Sequence, residues 1–149
     1  MKLNEMVSKQ AYDKIACKVK ETVGEGAFAY IFPVVEKALE DGGADVRYDI
    51  LISWLDLDCC RVCSHCGAIM EEGWYLDCMG YACSDECAAA IEGITMEQFE
   101  KWRIYKDDII EYLKYEGNGR KIEELTKEEC DDIIDEYCVD LDYYYTEWY

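Results

Sequence analysis

Apolar residues recur at helical spacing through most of the chain. In residues 3–23, Leu3, Met6, Val7, Ala11, Ile15, Val19 and Val23 fall near one stripe, which predicts an amphipathic helix. Gly24-x-Gly26 interrupts it. Residues 27–40, AFAYIFPVVEKALE, predict a second helix, kinked where Pro33 removes an internal hydrogen bond. Its first half is nearly all apolar and is expected to be buried, and Asp41-Gly42-Gly43 ends it. Residues 45–57 place Val46, Ile50, Leu51, Trp54 and Leu55 at helical spacing, although YDILISWL within them also reads as a strand. Further on, Thr95-Met96-Glu97-Gln98 is a capping box whose helix is expected to run to about Glu116, with Phe99, Trp102, Ile109, Ile110 and Leu113 inward. Gly117-Asn118-Gly119 is a turn. A second capping box, Thr126-Lys127-Glu128-Glu129, opens a helix with Cys130, Ile133, Ile134, Tyr137, Cys138 and Leu141 as its apolar stripe.

Residues 59–93 break this helical rhythm. Seven of the ten cysteines lie there, with the only histidine, His65. Cys63-x2-Cys66 and Cys83-x3-Cys87 are separated by sixteen residues, a spacing that suits a tetrahedral zinc site. Two cysteines three apart can face one ion across a tight knuckle, and Gly67 can take the positive φ that such a knuckle needs. The spacer has Gly73 and Gly80 as breakers and Trp74, Tyr75, Leu76 and Tyr81 as strand formers, so a short hairpin is expected. Ser84-Asp85-Glu86 is a strong helix start, and Gly93 can end that helix. Cys83 and Cys87, four apart, then lie on one face of its first turn, where the helix N-terminus favours thiolates. Cys60-x2-Cys63 offers a second register, and Cys60, His65 and Cys78 are alternate ligands. The Cys63/Cys66 pair is preferred because Gly67 follows it.

The residues CSHCG and YACSDECA resemble treble-clef zinc fingers of the TRASH and MYM kind, over residues 60–92 only. The resemblance implies a treble clef (knuckle, short β-hairpin, helix) with one structural Zn²⁺ on Cys63, Cys66, Cys83 and Cys87. Modules of this kind bind metals, nucleic acids or proteins, so an ion and a local fold follow but not an activity. The expected fold is mainly α around this module, α+β overall. Residues 1–58 would form a helical lobe, 59–93 the zinc module and 94–149 an acidic, aromatic-rich helical region, all in one compact unit.

Composition narrows the function. A hydrophobic content of 51% with 13% aromatics supports a folded chain. No run of about 18 apolar residues is present, which argues against a membrane span. The opening MKLNEMVSKQAYDK has no apolar h-region, so a cytoplasmic location is expected and cysteines that bind metal are favoured over disulfides. The net charge is −19, and four thiolates with Zn²⁺ add no positive charge. Direct nucleic-acid binding, which relies on neutralising phosphates, is therefore disfavoured, as is an anionic membrane surface. No P-loop, nucleophile elbow, H-E-x-x-H or deaminase signature occurs, and a closed four-thiolate zinc leaves no position for a reactive water. The chain is expected not to be an enzyme, with a thiol redox role as the weakest reading.

The charge is uneven. Residues 1–58 carry seven basic and eleven acidic side chains, a net of −4. Residues 122–149 carry one basic and eleven acidic side chains, a net of −10. Acids alone would suit a solvated helix, but here tyrosines and tryptophan, residues enriched at interfaces, are interleaved with them. Asp131, Asp132, Asp135, Glu136, Asp140, Asp142, Tyr143, Tyr144, Tyr145 and Glu147 are thus the expected partner surface. On a continuous helix, Asp131, Asp135 and Asp142 would lie near one another. The expected partner is a basic, nucleic-acid-binding protein, whose groove carboxylates and aromatic faces could occupy as phosphates and bases do. In composition alone this is similar to the acidic inhibitors that block restriction enzymes or CRISPR effectors. A zinc-finger regulatory or assembly factor acting through protein contacts is the alternative.

Overall fold

A computed structural model describes residues 1–76, 80–137 and 143–148, residues 143 and 144 by backbone alone. Four helices come first: α1 (Leu3–Met6), α2 (Lys9–Val23), α3 (Glu25–Asp41) and α4 (Ala44–Tyr48). The helix expected over 3–23 is split because Ser8 acts as a cap. Its hydroxyl accepts the Ala11 N–H at 3.1 Å, while its own N–H and O–H are both donated to the Glu71 carboxylate, at 3.0 and 2.6 Å. Helix α3 contains Pro33 and buries Phe32, Val35 and Leu39. Its apolar first half is only partly buried, for Phe32 lies in the core but Tyr30 is 78% and Ile31 36% exposed. The helices packed on α3 cover one stripe only. Helix α4 runs directly into a π-helical turn, Asp49–Trp54, where the Leu55 N–H reaches the Ile50 carbonyl at 3.0 Å. The segment is thus helical rather than a strand, and it buries Leu51, Leu55 and Leu57.

Short strands follow: β1 (Arg61–Val62), β2 (Ile69–Met70), β3 (Glu72–Leu76) and β4 (Tyr81–Ala82). Strand β1 pairs antiparallel with β2, and β3 with β4. Helix α5 (Asp85–Glu92) leads to α6 (Met96–Trp102), α7 (Lys106–Glu116), a 3₁₀ turn at Ile122–Glu124 and α8 (Lys127–Tyr137). Both capping boxes form, at Thr95/Gln98 and at Thr126/Glu129. The single helix expected from 95 to about 116 is interrupted at Arg103, whose φ is +52°. Trp102 and Ile109 are seven apart and so in phase on one helix, which hides the break. The turn places Ile104 in the core beside them.

The C-terminus differs most from expectation. Residues Tyr143–Glu147 form β5, which joins the edge of β3 in a sheet of order β4-β3-β5. Register runs from Glu72↔Glu147 through Trp74↔Tyr145 to Leu76↔Tyr143. Tyrosine and threonine suit a pleated, half-buried surface, and β3 supplies the free edge. The apolar stripe on α8 is described through Cys130, Ile133 and Ile134. Cys138 and Leu141, its expected continuation, lie outside the described residues, as do Asp140 and Asp142.

Two hydrophobic cores result. One takes Leu3, Ile15, Val19, Leu39, Leu51, Cys60, Val62 and Ile69. The other takes Cys63, Met70, Leu76, Cys87, Phe99, Trp102, Ile109, Cys130 and Ile134. They meet at the β1–β2 hairpin, where adjacent residues Val62 and Cys63 belong to opposite cores. Among the described residues no helix is long and apolar enough to cross a membrane.

Candidate metal centre

The loop between β1 and β2 is a knuckle closed by its own backbone. The Cys63 N–H reaches the Ala68 carbonyl at 2.9 Å and the Gly67 N–H reaches the Cys63 carbonyl at 3.0 Å. Gly67 adopts φ +78°, and a Cβ there would lie 3.0 Å from the Ala44 backbone nitrogen, so both conformation and space demand glycine. The other two cysteines come from the β4–α5 junction. Ser84 caps α5 by accepting the Cys87 N–H at 3.2 Å, which sets Cys83 just before the first turn and Cys87 within it. Ser64 joins the halves: its N–H reaches the Tyr81 carbonyl at 2.8 Å and its hydroxyl accepts the Tyr81 N–H at 3.2 Å.

These elements bring the sulfurs of Cys63, Cys66, Cys83 and Cys87 within 4.8 Å of one another. Two of the separations are 3.5 Å (Cys66–Cys83) and 3.7 Å (Cys83–Cys87). Four sulfurs about 2.3 Å from a central ion stand about 3.8 Å apart, so the spacing matches a tetrahedral cage and is far too wide for disulfides. Electrostatics agree. Burial pushes the Cys63 thiol up, but the backbone N–H groups of Cys66, Cys83 and His65 point at its sulfur and bring it down to about 7. Burial raises Cys83, as do the neighbouring thiols of Cys66, Cys87 and Cys63, and burial raises Cys87. Sulfurs so crowded resist sharing negative charge, and a divalent cation at their centre relieves that repulsion. The group can hold a metal ion.

Two of the alternate ligands, Cys60 and His65, are not part of the four-sulfur group. Cys60 is fully buried in the N-terminal core beside Cys59, and His65 is exposed on the knuckle. Cys78 lies outside the described residues. No family model matches the chain, and no curated protein or solved structure matches it.

The residues that seat the knuckle had no sequence signal. Arg47 donates to the carbonyls of Leu39 (2.8 Å), Gly67 (2.7 Å) and Glu40 (3.2 Å), fastening the end of α3 to the knuckle. Arg61 stacks on both Tyr81 and Trp148, 5.5 and 5.6 Å from the ring centres. Trp74 donates to the Asp85 carboxylate at 2.9 Å and meets Phe99 and Tyr145 edge-on.

The expected partner residues divide. Asp132, Asp135 and Glu136 are exposed on α8, whereas Asp131 is half-buried and paired with Arg103 at 3.6 Å. Tyr145 is 51% exposed on β5 and Glu147 is exposed near it; Tyr143 and Tyr144 belong to the same strand. Glu116, Asp132 and Glu136 line a groove of about 300 Å³ between α7 and α8. Arg120 also lines it and is held by Glu129.

Proposed function

We propose that this is a zinc-stabilised, non-enzymatic protein that binds a basic surface of another protein. The observation that carries the reading is the α7–α8 groove, which Glu116, Asp132 and Glu136 line beside Arg120, a cation already paired with Glu129. Carboxylates converging on a cleft of that size fit the guanidinium or ammonium groups of a basic partner. The acid–aromatic strand β5 lies on β3, so the metal module supports the second acidic surface, where Glu72 and Glu147 sit opposite each other. Like charges directly opposed destabilise a sheet, and a cationic partner would relieve them. Zinc is the ion favoured by four cysteines in a closed tetrahedron, and the resemblance of CSHCG and YACSDECA to TRASH- and MYM-like treble clefs supports it.

Occupation of a groove built for DNA or RNA, and so inhibition of a nucleic-acid-binding enzyme in the anti-restriction or anti-CRISPR manner, is the form of this function that the charge of −19 fits best. The test is capture of partners from a bacterial lysate at low and high salt, beside a variant with Asp132, Asp135 and Glu136 changed to lysine. Partners with basic clefts, lost at high salt and lost on charge reversal at unchanged melting temperature, are expected. Partners held equally well by the reversed protein contradict the reading.

A further inference from the structure

A cavity of about 380 Å³ lies between the second half of α7 and the segment Gly119–Glu123. Its apolar lining is aliphatic: Leu113 and Ile122 are buried, and Ile110 is 43% exposed. Lys114, Arg120 and Lys121 also line it, against one acid, Glu123, among the described residues. In a chain of fifteen basic and thirty-four acidic side chains, this reverses the balance of charge locally. The ion pairs among the described residues take up Lys20, Lys37, Arg103 and Arg120, so neither lysine of the cavity is paired with a carboxylate. The Lys114 ammonium rests over the Tyr115 ring, 5.7 Å from its centre. The walls are held from behind. Arg120 is fastened to the Glu129 carboxylate and the Glu124 carbonyl, and Lys101 Nζ donates to the Glu123 carbonyl at 3.0 Å.

We propose that this cavity binds a small carboxylate with an aliphatic body, its head at Lys114 and Lys121 and its chain over Ile110, Leu113 and Ile122. The volume lies in the range of small-molecule sites. The two kinds of lining residue select the ligand together. A bare inorganic anion would leave Ile110 in water, and a neutral hydrocarbon would leave the ammonium groups without a counter-charge. Among the described residues that line the cavity none is aromatic, so nothing there offers a stacking face to a nucleobase. A monoanion suits the site better than a dianion, because the chain around it carries −19. The walls are fixed before the ligand arrives, which lowers the cost of ordering them. Leu113 and Arg120 also line the acidic groove on the α8 side, but the ligand here has the opposite charge to that groove's partner and does not depend on it.

The test is an NMR titration of the full chain with butyrate, hexanoate, octanoate and decanoate below their micelle concentrations, read at the methyl groups of Ile110, Leu113 and Ile122. Hexanol and octyl phosphate are titrated beside them. Shifts centred on those methyls are expected, with affinity rising about two- to fourfold per CH₂, the upper figure corresponding to full burial. Hexanol should bind more weakly than hexanoate. Changing Lys114 and Lys121 together to glutamine should weaken octanoate by about 3–10-fold at an unchanged melting temperature. Ile110→Gln, a second surface change, should flatten the dependence on chain length. No shift with any of these probes, shifts spread over the surface, affinity independent of chain length, hexanol binding as well as hexanoate, octyl phosphate binding more tightly than octanoate, or octanoate binding unchanged without the two lysines would each overturn the proposal.

Discussion

The lobe of α1–α4 and the half that follows it bury their chain by different means. The lobe is an ordinary helical core. Leu3, Ile15, Val19, Leu39 and Leu51 are almost wholly buried: α2 and α3, of fifteen and seventeen residues, each present an apolar stripe, and the short α1 and the π-helical turn add Leu3 and Leu51 to the same core. The following half has strands of two to five residues and helices of seven to eleven, elements too short to be stable alone. It gathers four cysteines between the β1–β2 loop and the start of α5, and three of the four tryptophans, Trp74, Trp102 and Trp148, within or against its core. A core assembled from short pieces needs a nucleus. In this half an ion can serve as one, whereas in the lobe chain packing suffices. Cysteine content alone therefore does not mark a metal site: Cys59 and Cys60 are as buried as Cys63 and Cys87, yet they belong to the aliphatic core.

The comparison can be broken most forcefully at the ligands. Cys83→Ser, or chelation of the intact protein, should remove several kcal/mol of stability. The near-ultraviolet dichroism of the three tryptophans should collapse while hydrogen exchange in α2 and α3 stays slow. Simultaneous loss of both signals would mean that the halves are one cooperative unit. In the opposite direction, Leu39→Ala should cost about 2–5 kcal/mol yet leave the metal content at its wild-type value by elemental analysis.

The joint between the halves gives a smaller effect. Arg47→Met leaves the carbonyls of Leu39, Glu40 and Gly67 without their donor and should cost about 1–3 kcal/mol. It should also uncouple the halves, so that a thermal melt separates into two steps; a single sharp transition would show that Arg47 is not the joint. The least effect concerns the exposed pair of Arg120 and Glu129. The guanidinium holds the Glu129 carboxyl down to about 2. A depressed carboxylate contributes stability above its unfolded pKa and loses it as pH falls through the folded value. This pair should thus matter at neutral pH and fade between about pH 4.5 and 2. In Arg120→Ala, carboxyl NMR should show Glu129 titrating in the ordinary range; an unchanged titration would mean that the Thr126 backbone N–H alone holds it.

Much of this was legible in the chain and some was not, for physical reasons. Cap chemistry is local, so Ser84, Thr95 and Thr126 announced their helices correctly, and the knuckle glycine announced Cys63 and Cys66. Interruptions caused by distant partners were invisible. The break at Ser8 depends on Glu71, sixty-three residues away, and the turn at Arg103 preserves the apolar phase that would reveal it. The tail was read as helix because α8 keeps its period. Its tyrosines pair with β3 only because the β3–β4 hairpin presents a free edge, which no local pattern encodes. Arg47 looks like any charge on a short helix until the knuckle stands before it.

The central claim is a single ion on four sulfurs, and metal-edge X-ray absorption of the purified protein tests it most directly. Zinc at one per chain with four sulfur neighbours at about 2.3 Å, lost in Cys66→Ser and Cys83→Ser, is the predicted result. Nitrogen or oxygen in the first shell, iron in place of zinc, or a folded protein with no metal would contradict it.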